Sequence, residues 1–248
     1  MVIIKSPEQI HSMRKAGKIL ADTLSLIEEK AKIGVSTKYL DKLAYEYITA
    51  KGAVPSFLNY GGFPATICAS IDEQVVHGIP SDNTKLEEGM LLKIDCGAGI
   101  DGMHTDAART IAIGNVSKEK QKLMEVCKQS FFEGVKILKA GVRLGDLGHT
   151  IQNYVEGFGF GVIRDLVGHG IGATVHEDPN VPNYGIKGRG ARLWENITIA
   201  IEPMITLGTY EIEQLNDGWT IVTADGKPSA HYENTVVIMP DGVEILTL

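Results

Sequence analysis

The feature that most narrows what this chain can fold into is an internal repeat. Shifting the sequence by 107 positions lays Lys32, Gly34, Val35, Leu40, Tyr47 and Gly52 on Lys139, Gly141, Val142, Leu147, Tyr154 and Gly159, all identical, and lays Ile94-Asp95 on Ile201-Glu202. Units related in this way pack about a pseudo-twofold axis, so equivalent strands meet at the centre and equivalent acids face one cavity. The halves divide near residues 1–114 and 115–248. No Pro/Gly/Ser-rich linker separates them, which predicts one domain over 1–248.

Each half opens with helices and continues into strands. Ser6-Pro7-Glu8-Gln9 is a capping box with proline at the first helical position, and Ile10, Met13, Leu20, Leu24 and Ile27 follow at helical spacing. A second helix starts near Thr37 and stops at Gly52. The chain is β-rich from Phe57 to Ile113. The pattern then restarts, with Ser117 capping a helix that runs toward Gly141, Asp146 opening another, and strands filling most of the remainder. The architecture implied is α+β, with a curved antiparallel sheet covered on its convex face by four helices.

Charged residues interrupt the strand-like runs. Asp95 in LLKIDCG, Asp106 in HTDAART, Glu202 in TIAIEPM and Glu233 in SAHYENTVVIM would be costly to bury unless cations or protons neutralise them. Asp95 and Asp106 flank Ile100-Asp101-Gly102, the signature of a β-hairpin. Its register makes the two acids either direct or diagonal partners on one face, where without a metal one of them should hold a proton. His169 lies in Gly168-His169-Gly170-Ile171-Gly172, whose small neighbours let a ligand approach. One imidazole with four carboxylates is a mostly hard donor set, suited to two divalent ions drawn from Mn, Fe, Co or Zn.

Other classes find little support. The net charge of -7 without a basic stripe argues against a nucleic-acid partner. The first eighteen residues lack the apolar core of a signal peptide, no run approaches a membrane span, and a cytoplasmic location is expected. Cys68, Cys96 and Cys127 are odd in number and form no CxxC pair, so neither a disulfide framework nor a zinc knuckle is expected. Phosphate-loop, GxSxG and dinucleotide fingerprints are absent.

The whole chain resembles a type I methionine aminopeptidase, of the pita-bread (creatinase/aminopeptidase) fold. The resemblance rests on the Asp-x10-Asp hairpin, His169 in GHGIG, Glu202 in IAIEPM, Glu233 before the final strand, His77 in VVHGIP and His176 in VHEDP. It implies a dinuclear metallo-exopeptidase that removes the initiator methionine from nascent chains. Asp106 and Glu233 would bridge two ions, Asp95 would chelate one, and His169 with Glu202 would hold the other, around an activated water. Glu202 would shuttle protons. His77 would contact the scissile amide and His176 would stabilise charge on the carbonyl oxygen. Tyr60, Phe63, Cys68 and Trp219 would line the methionine slot. The resemblance also implies a monomer whose partners are nascent polypeptide N-termini, with the ribosome a further candidate.

The chain departs from the family pattern at Gly61, Thr105 and Asn234, two of which neighbour bridging acids. Only 32 residues separate His169 from Glu202, too few for the type II insertion. The nearest competitor within the fold is a proline-specific peptidase such as prolidase.

Overall fold

The computed structural model describes residues 2–248. Helix α1 (Pro7–Lys30) begins where its capping box is satisfied in both directions: Ser6 Oγ accepts from the Gln9 N–H at 3.3 Å, and Gln9 Oε1 accepts from the Ser6 N–H at 2.9 Å. Helix α2 (Thr37–Ala50) is capped by Ser36 and released by the left-handed Gly52. In the second half α3 (Lys118–Lys136) is capped by Ser117. Helix α4 (Leu144–Glu156) starts two residues before the Asp146 expected to open it. Asp146 is its third residue, and its carboxylate turns back to accept from the Arg143 N–H at 3.3 Å.

All strand pairing among the described residues is antiparallel. In the first half β1 (Ile67–Ile71) and β3 (Met103–Ala112) flank the long β2 (Leu91–Ile100). The second half contains β4 (Gly168–Gly170), β5 (Glu177–Val181), β6 (Thr198–Ile201), β7 (Ser229–His231), β8 (Asn234–Met239) and β9 (Gly242–Ile245). Five of these form a sheet in the order β9-β8-β6-β4-β5, while β7 pairs with the segment Met204–Thr206. The two principal sheets do not run together as one unbroken ladder. They are stitched where the Ala108 and Glu233 backbones exchange hydrogen bonds of 3.0 and 3.3 Å.

The repeat extends to individual hydrogen bonds. Gly34 N donates to Leu86 O at 2.7 Å, and Gly141 N donates to Leu193 O at 2.6 Å. Leu86 N returns to Val35 O and Leu193 N to Val142 O, both at 2.9 Å. Every pair is displaced by the same 107 positions. The matched glycines share left-handed backbone, with φ of +84° at Gly34 and +95° at Gly141, a conformation that other residues adopt only with strain.

Each half buries its own apolar layer. Leu20, Leu24, Ile27, Leu40 and Ile48 pack on Leu92, Ile94 and Ile111; Leu123, Phe131, Leu147 and Ile151 pack on Ile199, Ile201, Val236 and Ile238. Because side chains alternate along a strand, directing Leu92, Ile94 and Cys96 toward the helices sends Lys93, Asp95 and Gly97 to the opposite face. The same parity sends Asp106 and Glu202 away from the helices. Helix packing therefore chooses which residues reach the central cavity.

Candidate metal centre

The hairpin turns at Asp101-Gly102, both with positive φ (53° and 74°), as a primed two-residue turn requires. Ile100 pairs with Met103, so Asp106 stands opposite Gly97 and Asp95 opposite Ala108. The two acids are thus diagonal neighbours on one face, the second of the two registers the sequence allowed. Buried beside one another, the two carboxyls both have their pKa raised, desolvation being the largest cause at each, so without a cation the pair favours holding a proton.

Asp95, Asp106, His169, Glu202 and Glu233 all line one cavity of about 240 Å³, together with His77, His176, Tyr60, Phe63, Cys68 and Trp219. Ligand atoms of Asp106, His169 and Glu233 lie within 4.8 Å of one another, and a second trio consists of Glu202, His231 and Glu233. Glu233 belongs to both. His169 Nε2 is 3.6 Å from Glu202 Oε1 and 3.9 Å from Asp106 Oδ2. His169 Nδ1 donates to the Gly170 carbonyl at 2.9 Å, fixing the tautomer that turns a bare Nε2 toward the acids.

Burial dominates the electrostatics. It pushes Asp95 up to about 6 and Glu202 up to about 8, and raises Asp106 and Glu233 well above the usual carboxylate range, neighbouring acids adding to the effect at the last two. The same desolvation pulls His169 and His77 down to about 4, keeping both rings neutral near pH 7. Asp95 Oδ1, Asp106 Oδ1 and Glu233 Oε1 are buried with no hydrogen-bond partner. Unpaired carboxylate oxygens beside a neutral, correctly tautomerised imidazole fit divalent cations, which would satisfy the oxygens and lower the cost of ionising them.

Around the mouth, His176 Nδ1 lies 3.0 Å from the Tyr60 hydroxyl, and its ring packs 4.2 Å from that of His169. The following residue, Glu177, forms a buried ion pair with Lys5 at 2.7 Å, tying Lys5 to the strand that begins immediately after His176. His77 adopts φ +60°, an uncommon conformation for a residue with a Cβ, and faces Trp219 edge-on at 6.5 Å. Phe63 and Trp219 meet in a T-shape at 5.2 Å, with Cys68 in the same apolar cluster.

Two of the departures from the family pattern point away from the cavity. Asn234 Oδ1 accepts from Arg109 Nη2 at 2.8 Å and from Thr247 Oγ1 at 2.9 Å, and Thr105 Oγ1 donates to Ala98 O at 3.2 Å. Gly61 does line the cavity, where a Cβ would stand 3.7 Å from Trp219. Sequence reasoning passed over His231, whose only signal was its position two residues before Glu233 and therefore on the same face of an extended segment.

A two-half α+β shell closed over carboxylate and imidazole donors defines a metal-dependent hydrolase of the pita-bread fold. The chain belongs to metallopeptidase family M24, whose family model matches residues 11–240. It is 54% identical over 248 residues to the methionine aminopeptidase of Clostridium acetobutylicum, covering 100% of this chain and 99% of that protein. Identity to methionine aminopeptidase 1 of Bacillus subtilis is 44% over 247 residues, covering 100% and 99%. The crystal structure of methionine aminopeptidase from Thermotoga maritima superposes with a TM-score of 0.98 at 40% identity, over 100% of this chain and 99% of that one. A prolidase from Pyrococcus horikoshii shares the fold at 23% identity and a TM-score of 0.80, this chain covering 64% of it.

Proposed function

We propose that this chain is a methionine aminopeptidase that removes the N-terminal methionine from nascent polypeptides. In this reading Asp95, Asp106, His169, Glu202 and Glu233 hold two divalent ions, and the enzyme works as a cytoplasmic monomer over one catalytic domain spanning 1–248. The observation that carries the reading is the meeting of these donors with an apolar slot in one cavity. A slot lined by Phe63, Trp219 and Cys68 suits an unbranched thioether through dispersion and sulfur–aromatic contact.

When bound, the divalent ions supply positive charge that acidifies water and polarises the scissile carbonyl. Glu202, ionised once cations offset the cost of its burial, accepts the proton lost as water adds to that carbonyl carbon and returns it to the amine as the C–N bond breaks. The His176 tautomer that carries its proton on Nε2 accepts from the Tyr60 hydroxyl at Nδ1, 3.0 Å away, and donates from Nε2 to the oxygen as it gains charge. His77, held neutral by burial, hydrogen-bonds the amide being cleaved. In this reading the free α-amine binds on the Asp95 side of the donor set, which limits release to the first residue.

The test is hydrolysis of Met-Ala-Ser by protein before and after chelation, with Mn, Fe(II), Co and Zn restored singly and bound metal counted. Activity that disappears on chelation and returns with two ions per chain supports the proposal. Faster cleavage of an Xaa-Pro peptide, or turnover indifferent to chelation, overturns it.

A further inference from the structure

Glu202 is flanked by two imidazoles. Its Oε1 faces His169 Nε2 at 3.6 Å, and its Oε2 faces His231 Nε2, also at 3.6 Å. His231 Nε2 is in addition 3.8 Å from Glu233 Oε2. The His231 ring is 1% exposed, yet neither of its nitrogens has a hydrogen-bond partner. Buried imidazoles seldom leave both nitrogens bare, because each bare nitrogen has given up its bond to water and gained nothing.

The distances say what is missing. At 3.6 to 3.8 Å the nitrogen is too far from either carboxylate to hydrogen-bond. Two donors each about 2.1 Å from one cation in tetrahedral or wider arrangement stand about 3.4 Å apart or somewhat more. The separations therefore suit donors that share an ion and do not suit donors bonded to each other.

The backbone supports the same conclusion. Thr110 on β3 clamps His231, its hydroxyl accepting from the His231 N–H at 2.9 Å and donating to the His231 carbonyl at 2.8 Å. Thr235 clamps Asp106 in the same reciprocal manner, at 2.8 and 2.9 Å. The fold thus fixes the main chain at His231 with the device it uses at a metal-site aspartate. A side chain meant only to fill space has no need of such placement.

We infer that His231 is a sixth protein donor of the metal centre, its Nε2 binding a divalent cation together with Glu202 and Glu233. This rests on the two-ion reading above and adds a second imidazole to it. A nitrogen donor at this position makes the site softer, favouring Fe(II), Co or Zn over Mn.

The experiment uses ¹⁵N-histidine-labelled protein stripped with chelator and titrated with Zn(II), alongside H231Q treated identically. The expected result is two zinc-coordinated imidazoles in the wild-type spectrum and one in H231Q, with one of two Co(II) affinities weakened at least about tenfold in the variant. A single coordinated imidazole in wild-type protein carrying two ions overturns the inference while leaving the two-ion reading intact; failure to bind any ion overturns both. Should H231Q not fold, the wild-type spectrum decides, since two coordinated rings support the inference and one sinks it.

Discussion

Thr235 holds Asp106 by both ends of its peptide: the threonine hydroxyl accepts from the Asp106 N–H at 2.8 Å and donates to the Asp106 carbonyl at 2.9 Å. The two residues come from opposite halves of the repeat, and Glu233 lies two positions before Thr235. One hydroxyl therefore sets the spacing between two of the acids. Thr235→Val keeps the shape but leaves a buried N–H and a buried C=O unpaired, at roughly 1–3 kcal/mol each. We expect a lower urea midpoint in both metal-free and loaded protein, and a metal affinity weakened about 10- to 100-fold by calorimetric titration. Unchanged affinity would show that the clamp serves stability alone.

The metal-free protein should carry a pH signature from Glu202. Burial raises this carboxyl from 4.5 to about 8 in the folded state, so between those values the folded protein retains a proton that the unfolded chain has lost. The stability contributed by the protonated group is complete below about pH 4.5 and drains away as the pH climbs toward 8. Lys93, pulled down to about 7 by burial, titrates in the opposite sense over part of this range. The informative quantity is consequently a difference between proteins. Wild type minus Glu202→Gln, followed by urea unfolding after chelation, should fall by a few kcal/mol over the interval. A flat difference would mean that Glu202 ionises freely.

What the sequence made legible follows from periodicity. In LLKIDCG the alternation already set Asp95 on the face opposite Leu92 and Ile94, and the Asp101-Gly102 turn brought Asp106 back beside it. The opening of α4 was less visible because the structural cap is the Arg143 backbone, with Asp146 closing from inside the helix, and a carboxylate in either role looks the same in one dimension. Asn234 invited attention as the neighbour of Glu233. The alternation that turns Glu233 inward turns Asn234 outward to Arg109, so adjacency in sequence was the wrong measure of distance. His231 was missed for the converse reason, since two bare nitrogens become visible only when every surrounding partner is in place.

His176 separates catalysis from metal binding. Its Nδ1 is engaged with Tyr60, and it belongs to neither trio of converging donors. His176→Ala should lower kcat for Met-Ala-Ser by about two to three orders of magnitude, the scale of losing one donor to a developing oxyanion. Bound metal measured by mass spectrometry should stay at the wild-type count. Loss of an ion from this variant would instead make His176 a ligand.

Substrate choice should depend on Trp219. It stands on a turn secured by Asp217, which accepts from the Trp219 and Thr220 N–H groups at 2.9 and 2.8 Å and from the Thr220 hydroxyl at 2.6 Å. Its ring meets Phe63 edge-on over the cavity that also holds Cys68. A slot closed by two rigid rings admits a slender unbranched side chain and penalises one branched at Cγ, while its apolar lining penalises a buried ammonium, so Met-Ala-Ser should be cleaved far faster than Leu-Ala-Ser or Lys-Ala-Ser. Discrimination of this kind between apolar side chains is typically about 10- to 200-fold. Trp219→Ala removes one wall and should bring the Met and Leu values of kcat/KM within about tenfold of each other, chiefly by raising KM for the methionine peptide. Equal selectivity in the variant and the wild type would move the side-chain pocket away from Trp219.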